Sequence, residues 1–187
     1  MIKNKLNLEG KVRINTQKND SYIKYDQNSI IKSIVFILTS HLSNIPIILP
    51  IFIDISTAST FEKEFKPLGN FTIDDQLLEI HISTHNIKKS KIYKNKLKSL
   101  FYNLLHEIYH YIYFLKEYNK EENLGKNPEE LFQEINKENI LIEKSLKKDE
   151  EEYILYHNNL EEEFKADEFA LKNLSFFENI YYNDHIL

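Results

Sequence analysis

Residues 97 to 115 read Leu97-Lys98-Ser99-Leu100-Phe101-Tyr102-Asn103-Leu104-Leu105-His106-Glu107-Ile108-Tyr109-His110-Tyr111-Ile112-Tyr113-Phe114-Leu115. Leu97, Leu100, Phe101, Leu104, Leu105, Ile108, Ile112 and Leu115 recur at steps of three and four with no Pro or Gly between them, which predicts one helix. Inside it stands His106-Glu107-Ile108-Tyr109-His110, an H-E-x-x-H pattern. On a helix advancing about 100° per residue, His106 and His110 point within roughly 40° of each other and Glu107 lies about 60° beyond His110. An apolar helix does not ordinarily carry three ionisable groups so close together unless they have partners or share a metal.

Zinc binds neutral imidazole nitrogens at about 2.0–2.1 Å and, in catalytic sites, keeps one position open. Two histidines one turn apart can reach one ion, while Glu107, angled away, can reach the attacking water and act as general base. His106 and His110 are therefore the candidate ligands and Zn2+ the expected cofactor, although a His/His/carboxylate set accepts other divalent ions.

Two histidines do not complete such a site. The best source of a third ligand is Leu160-Glu161-Glu162-Glu163-Phe164-Lys165-Ala166-Asp167-Glu168-Phe169-Ala170. Glu163 and Asp167 are four apart and share a helical face, so Glu163 is the candidate ligand and Asp167 the carboxylate that orients a ligand imidazole through its other nitrogen. Small Ala166 would let the two helices approach closely. Glu162 is the neighbouring alternative if the register differs, and taken alone the run of three glutamates would be a solvated face.

Composition narrows the remainder. The chain has 187 residues, no Cys, and a formal net charge of −5. Its length suits one domain, 1–187, with a mixed helix and strand part over 1–90 and a helical part over 91–187. Without Cys, neither a disulfide framework nor a thiolate-ligated zinc is available. No basic cluster with interleaved aromatics points to nucleic acid. Residues 1–10 lack the apolar core of a secretory signal, and the apolar stretch 34–55 is too interrupted to span a bilayer, so a cytoplasmic protein with no membrane partner is expected. The Asn, Lys and Ile richness resembles the drift of an AT-rich bacterial or phage genome. Three glycines, at 10, 69 and 125, cannot build a phosphate-cradling loop.

Along the chain, Val12 and Ile14, then Tyr22, Ile23 and Tyr25, suggest short strands. A helix is expected from Asn28-Ser29 to about Leu42. Ile47–Ile55 reads as a strand, with Pro50 suggesting an edge or a bulge. After a turn at Pro67-Leu68-Gly69-Asn70, residues 71–73 and 77–83 form a hairpin directly before the motif helix. Strand 77–83 is expected to offer its edge to an extended peptide. Helices are expected from Pro128 to about Lys148 and from Tyr153 to Leu174, followed by a packed aromatic tail. Of the remaining histidines, 41, 85 and 185 read as surface or satisfied residues; His81 could face the cleft; and His157, six before Glu163, falls nearly opposite it on a continuous helix. Tyr153, Tyr156, Tyr181, Tyr182 and His185 are candidate donors to a developing oxyanion.

His106-Glu107-x-x-His110 followed by Glu163-Phe164-x-Ala166-Asp167 resembles the gluzincin metallopeptidases. That resemblance implies a compact zincin-like α+β fold, a downstream Glu as third zinc ligand, and a carboxylate one turn later supporting the first histidine. The Glu-Phe-x-Ala-Asp-x-x-Ala form is similar to that of the prenyl-protease and membrane heat-shock protease family. Ala166-Asp167-Glu168-Phe169-Ala170, the small size and the preceding hairpin resemble more closely the soluble repressor-cleaving and radiation-response regulator peptidases.

The expectation is thus a zinc-dependent endopeptidase acting on an intracellular polypeptide. The alternatives are a catalytically silent zinc-bearing adaptor or sensor, and a helical interaction protein whose motif is accidental.

Overall fold

The computed structural model of the protein contains, among the described residues, four strands, β1 (Val12–Thr16), β2 (Ile51–Ser56), β3 (Gly69–Asp74) and β4 (Leu77–Ser83), arranged in the order β1-β2-β4-β3. It describes residues 8, 10–16, 23–57, 68–74, 77–89, 94–146, 155–157 and 159–183. β1, β2 and β4 run parallel, and β3 pairs antiparallel with β4. The helices are α1 (Gln27–His41), α2 (Thr84–Lys89), α3 (Lys96–Tyr118), α4 (Pro128–Ile135), α5 (Lys137–Leu146) and α6 (Glu161–Asn183), with a single helical turn at 155–157. The class is α+β, as expected.

Strand alternation decides which face the helices cover. Ile51, Ile53 and Ile55 of β2, Leu78, Ile80 and Ile82 of β4, and Phe71 and Ile73 of β3 are buried together with the inward side chains of α1 and α3 in one apolar cluster. Phe52, Asp54, Glu79, His81, Asn70 and Thr72 alternate with them on the opposite face and are only half-buried. α3 packs under β3 and β4, and α6 packs along α3 and α1.

Local signals fix the helix that matters most. Asn95 caps α3, its side chain accepting from Leu97 N at 3.0 Å and Lys98 N at 3.2 Å. At the other end Asn119 clamps the chain before β2, donating to Ile47 O at 2.8 Å while Ile47 N donates back at 2.9 Å. The Tyr111 hydroxyl donates to Leu49 O at 2.6 Å, so α3 is tied to the route into β2 at two places. On α6, Ala166 and Ala170 are fully buried, and Phe177 and Tyr181 pack on Phe101 with ring centroids 5.0 and 4.7 Å away. The expected packing of the aromatic tail therefore holds through Asn183, as a continuation of the helix.

Several expectations need correction. β2 starts after Pro50 and is paired on both sides, so it is neither an edge nor a bulge; a proline just ahead of the first strand residue removes no ladder bond. β4 is likewise interior, paired with β2 and β3, and cannot offer residues 77–83 to a peptide. Ile23–Asp26 is not a strand but the approach to α1, which Asp26 caps by accepting from Ser29 N at 2.7 Å. The single helix expected over 128–148 is two, α4 ending at Ile135 and α5 starting at Lys137, with Asn136 as the C-cap between them. Tyr153 and His185 lie outside the described residues.

Candidate metal centre

Two helices bring the cluster together. His106 and His110 stand one turn apart on α3, and Glu163 lies in the first turn of α6. Glu163 Oε2 is 3.0 Å from His106 Nε2, Glu163 Oε1 is 3.4 Å from His110 Nε2, and the two Nε2 atoms are 3.3 Å apart. One ligand atom from each lies within 4.8 Å of the others, the arrangement a metal ion needs. Their side chains are 16%, 17% and 17% exposed, open enough for a small ligand yet largely withdrawn from water. Glu162, the alternative, does not join this group.

Asp167 sits behind His106. Its Oδ1 accepts from His106 Nδ1 at 2.9 Å and from the Tyr102 hydroxyl at 2.6 Å. With its Nδ1 proton committed to Asp167, a neutral His106 turns a lone pair at Nε2 toward the Glu163 carboxylate and toward His110. Such a convergence of electron-rich atoms is satisfied by a cation. In the bare protein the cation is a proton: burial opposes it, but the bonds to Asp167 and Glu163 and the charge of Glu107 outweigh burial and push His106 up to about 10. Burial works against the Glu163 charge too, yet the hydrogen bonds from His106 and His110 hold its carboxyl well below the usual carboxylate range. Asp167 is also lowered, first by its bond from His106. A divalent ion would answer the same demand, so the donor set fits the zinc that the motif implies.

Glu107 differs from the other carboxylates. It is 7% exposed, and burial raises its pKa while the charges of His106 and His110 oppose the rise. It lies over the start of β3, where Gly69 leaves room for it. A Cβ on Gly69 would stand 2.8 Å from Glu107 Oε1, 2.9 Å from Glu107 Cγ and 2.8 Å from Ile82 Cδ1. The turn expected at 67–70 gives no indication of this contact. The available signal was that one of only three glycines opens a strand, where a missing side chain often marks a close approach.

β3 is an edge strand; among the described residues nothing pairs with its outer side. Ser83 N donates to Leu68 O at 3.0 Å, so the alternation of an antiparallel ladder turns the N–H and C=O groups of Gly69, Phe71 and Ile73 outward. Among the described residues, backbone groups with no partner thus begin beside Glu107 and continue along the strand.

The other sequence candidates fall elsewhere. His81 lies on the sheet face away from Glu107, 2.9 Å from Glu79 Oε2 and 3.8 Å from Asp54 Oδ2. Tyr156 donates to Asn139 Oδ1 at 3.1 Å, and the Tyr181 hydroxyl accepts from Asp26 N at 2.8 Å. Tyr182 packs edge-on against Tyr181 at the exposed end of α6. His157, set aside in the sequence reading, does approach the cluster: α6 begins only at Glu161, the continuous helix assumed for it does not exist, and its Nδ1 is 3.7 Å from Glu163 Oε2.

Compared with protein-family models, characterised proteins and solved structures, the chain matches none. No helix among the described residues is long and apolar enough to cross a membrane.

Proposed function

We propose that the protein is a metal-dependent hydrolase in which His106, His110 and Glu163 hold zinc. More particularly, it is an endopeptidase of gluzincin type that cleaves an intracellular polypeptide in the cytoplasm, with neither nucleic acid nor membrane as partner. The observation that carries this reading is the convergence of those three side chains within 4.8 Å, next to a buried Glu107 that bears on the first residue of an edge strand. An accidental motif has no reason to recruit a carboxylate 57 residues away onto both imidazoles.

Zinc held there supplies a Lewis acid that polarises the scissile carbonyl and eases ionisation of the attacking water. Glu107 takes a proton from that water as its oxygen bonds to the carbonyl carbon. It then delivers the proton to the departing amide nitrogen. Burial suits it to both acts, because a base whose pKa is raised toward neutrality accepts and returns a proton more readily. Asp167 keeps the His106 ring turned with Nε2 toward Glu163. The substrate backbone pairs in extended form with the outward groups of Gly69, Phe71 and Ile73, which replaces the role expected for strand 77–83.

The test uses zinc-loaded parent protein and Glu107→Gln on a pool of mixed-sequence quenched fluorescent peptides. Cleavage by the parent, reduced about a thousandfold or more in Glu107→Gln with zinc retained, is expected. Bound zinc with no cleavage would leave the silent adaptor in its place.

A further inference from the structure

Glu163 and Asp167 are successive rungs of one register. α3 and α6 run antiparallel, and each of these carboxylates falls between two side chains that stand one turn apart on α3: Glu163 between His110 and His106, Asp167 between His106 and Tyr102. The same register continues to Glu178, whose carboxylate lies 3.7 Å from Lys98 Nζ. Buried Ala166 and Ala170 let the two helices come close enough for it. Tyr102 bonds to Asp167 and is not itself a candidate ligand.

What Tyr102 supplies is a fixed point. The Asp167 side chain is 52% exposed, and a carboxylate so open to water loses rotamer freedom only where bonds hold it. Both of its bonds fall on one oxygen, Oδ1, from His106 Nδ1 at 2.9 Å and from the Tyr102 hydroxyl at 2.6 Å, the latter within the short range of an O–H donor on a carboxylate. The His106 bond alone would let the imidazole and the carboxylate swing as a pair. The Tyr102 ring, by contrast, packs against the apolar core, and it stands one turn before His106 on the same helix. Its hydroxyl therefore closes Tyr102, Asp167 and His106 into a loop braced by the α3 backbone.

We infer that Tyr102 is a positioning residue of the metal centre. By holding Asp167 on His106 Nδ1 it fixes the direction in which His106 Nε2 points, and by holding α6 in register it keeps Glu163 over both histidines. This rests on the metal-binding part of the reading above and is independent of what the protein cleaves.

The experiment uses Tyr102→Phe, which removes the hydroxyl and keeps the ring on the core, beside parent, Asp167→Ala and the double variant. Zinc affinity is read by chelator competition at pH 7, the visible absorption of bound Co2+ reports ligand geometry, and unfolding curves of the metal-free proteins report stability. Tyr102→Phe should weaken zinc binding about threefold to tenfold and alter the Co2+ bands, a part of the effect that an outer partner of a metal-binding histidine usually has. In the Asp167→Ala background the same substitution should change zinc affinity less than twofold, because the hydroxyl acts through that carboxylate. A threefold or greater further loss in the double variant would show Tyr102 acting by another route and overturn the inference. Zinc affinity of Tyr102→Phe within twofold of a zinc-binding parent, whatever its stability, would leave Tyr102 a packing contact and overturn the inference alone. A parent that takes up no zinc overturns the metal-centre reading with it.

Discussion

Two clusters in this molecule use the same residue types and differ in geometry. On the outer sheet face, His81 lies between Glu79, two residues away on its own strand, and Asp54 on the next strand. On α3 and α6, His106 and His110 meet Glu163 while Asp167 holds the far side of the first ring. A strand places neighbours i and i+2 side by side pointing the same way, so the imidazole there meets one carboxylate through Nε2, while its buried Nδ1 has no hydrogen-bond partner among the described residues. A helix places i and i+4 so that two rings aim at one point, and a second helix can bring a carboxylate to that point from elsewhere in the chain. Among the described residues, only the helical cluster gathers three ligand atoms. Histidine and carboxylate in proximity are common; convergence is what distinguishes a candidate centre.

Mutating each cluster should separate them most widely. Glu163→Ala is expected to weaken zinc binding at least a hundredfold, while His81→Ala changes it less than twofold, both read by chelator competition. Equal losses would mean that the two clusters are equivalent and that the geometric distinction fails. Asp167→Asn probes the support alone. Losing the carboxylate behind His106 should cost about 10–100-fold in zinc affinity with the fold retained by circular dichroism. No change would reduce Asp167 to an exposed bystander.

Protons should compete with the metal at one centre. In the bare protein His106 is pushed up to about 10, so at pH 7 it carries a proton that zinc must displace. Calorimetry in buffers of different ionisation heat should show about one proton released per zinc at pH 7, and apparent affinity should rise up to about tenfold per pH unit toward the raised pKa. Because the folded pKa is raised, His106 also stabilises the metal-free fold fully below its ordinary 6.5, and that contribution fades as pH rises through about 10. The exposed ion pair of Lys165 with Glu161 offers no comparable effect, being screened by solvent.

The smallest expected effect concerns the strand under Glu107. Gly69→Ala must displace both Glu107 and Ile82, costing about 1–3 kcal/mol in stability and reducing turnover about tenfold, with zinc affinity unchanged. Unfolding curves and peptide cleavage on the same preparations check this. Unaltered stability would mean that the close approach relaxes easily.

What could be read from the sequence was local. The periodicity of 97–115 reports α3 because a buried stripe needs three- and four-residue steps, and alternation over 77–83 reports β4 for the corresponding reason. The spacing of Glu163, Ala166 and Asp167 placed the carboxylates on one face and the small residue between helices, as observed. What escaped depends on partners distant in sequence. That β4 is interior and β3 the edge follows from β2 pairing with β4 across the sheet, which no local pattern encodes. The approach of His157 depends on a chain reversal at 159–160 and a tether from Tyr156 to Asn139, neither marked by a Gly or Pro. The break at Asn136 is not marked by a Gly or Pro either, and an asparagine with the same contact to the carbonyl four residues back stands inside unbroken helices at 103 and 173.

The central claim is that the α3–α6 cluster is a metal centre, and X-ray absorption at the zinc edge tests it most directly on protein purified without chelator or affinity nickel. The account predicts about one zinc per chain with imidazole nitrogens at about 2.0–2.1 Å and a carboxylate oxygen, the signal being lost in His106→Ala and kept in His81→Ala. Absence of stoichiometric zinc in the parent, or a zinc signal lost in His81→Ala and kept in His106→Ala, would contradict it.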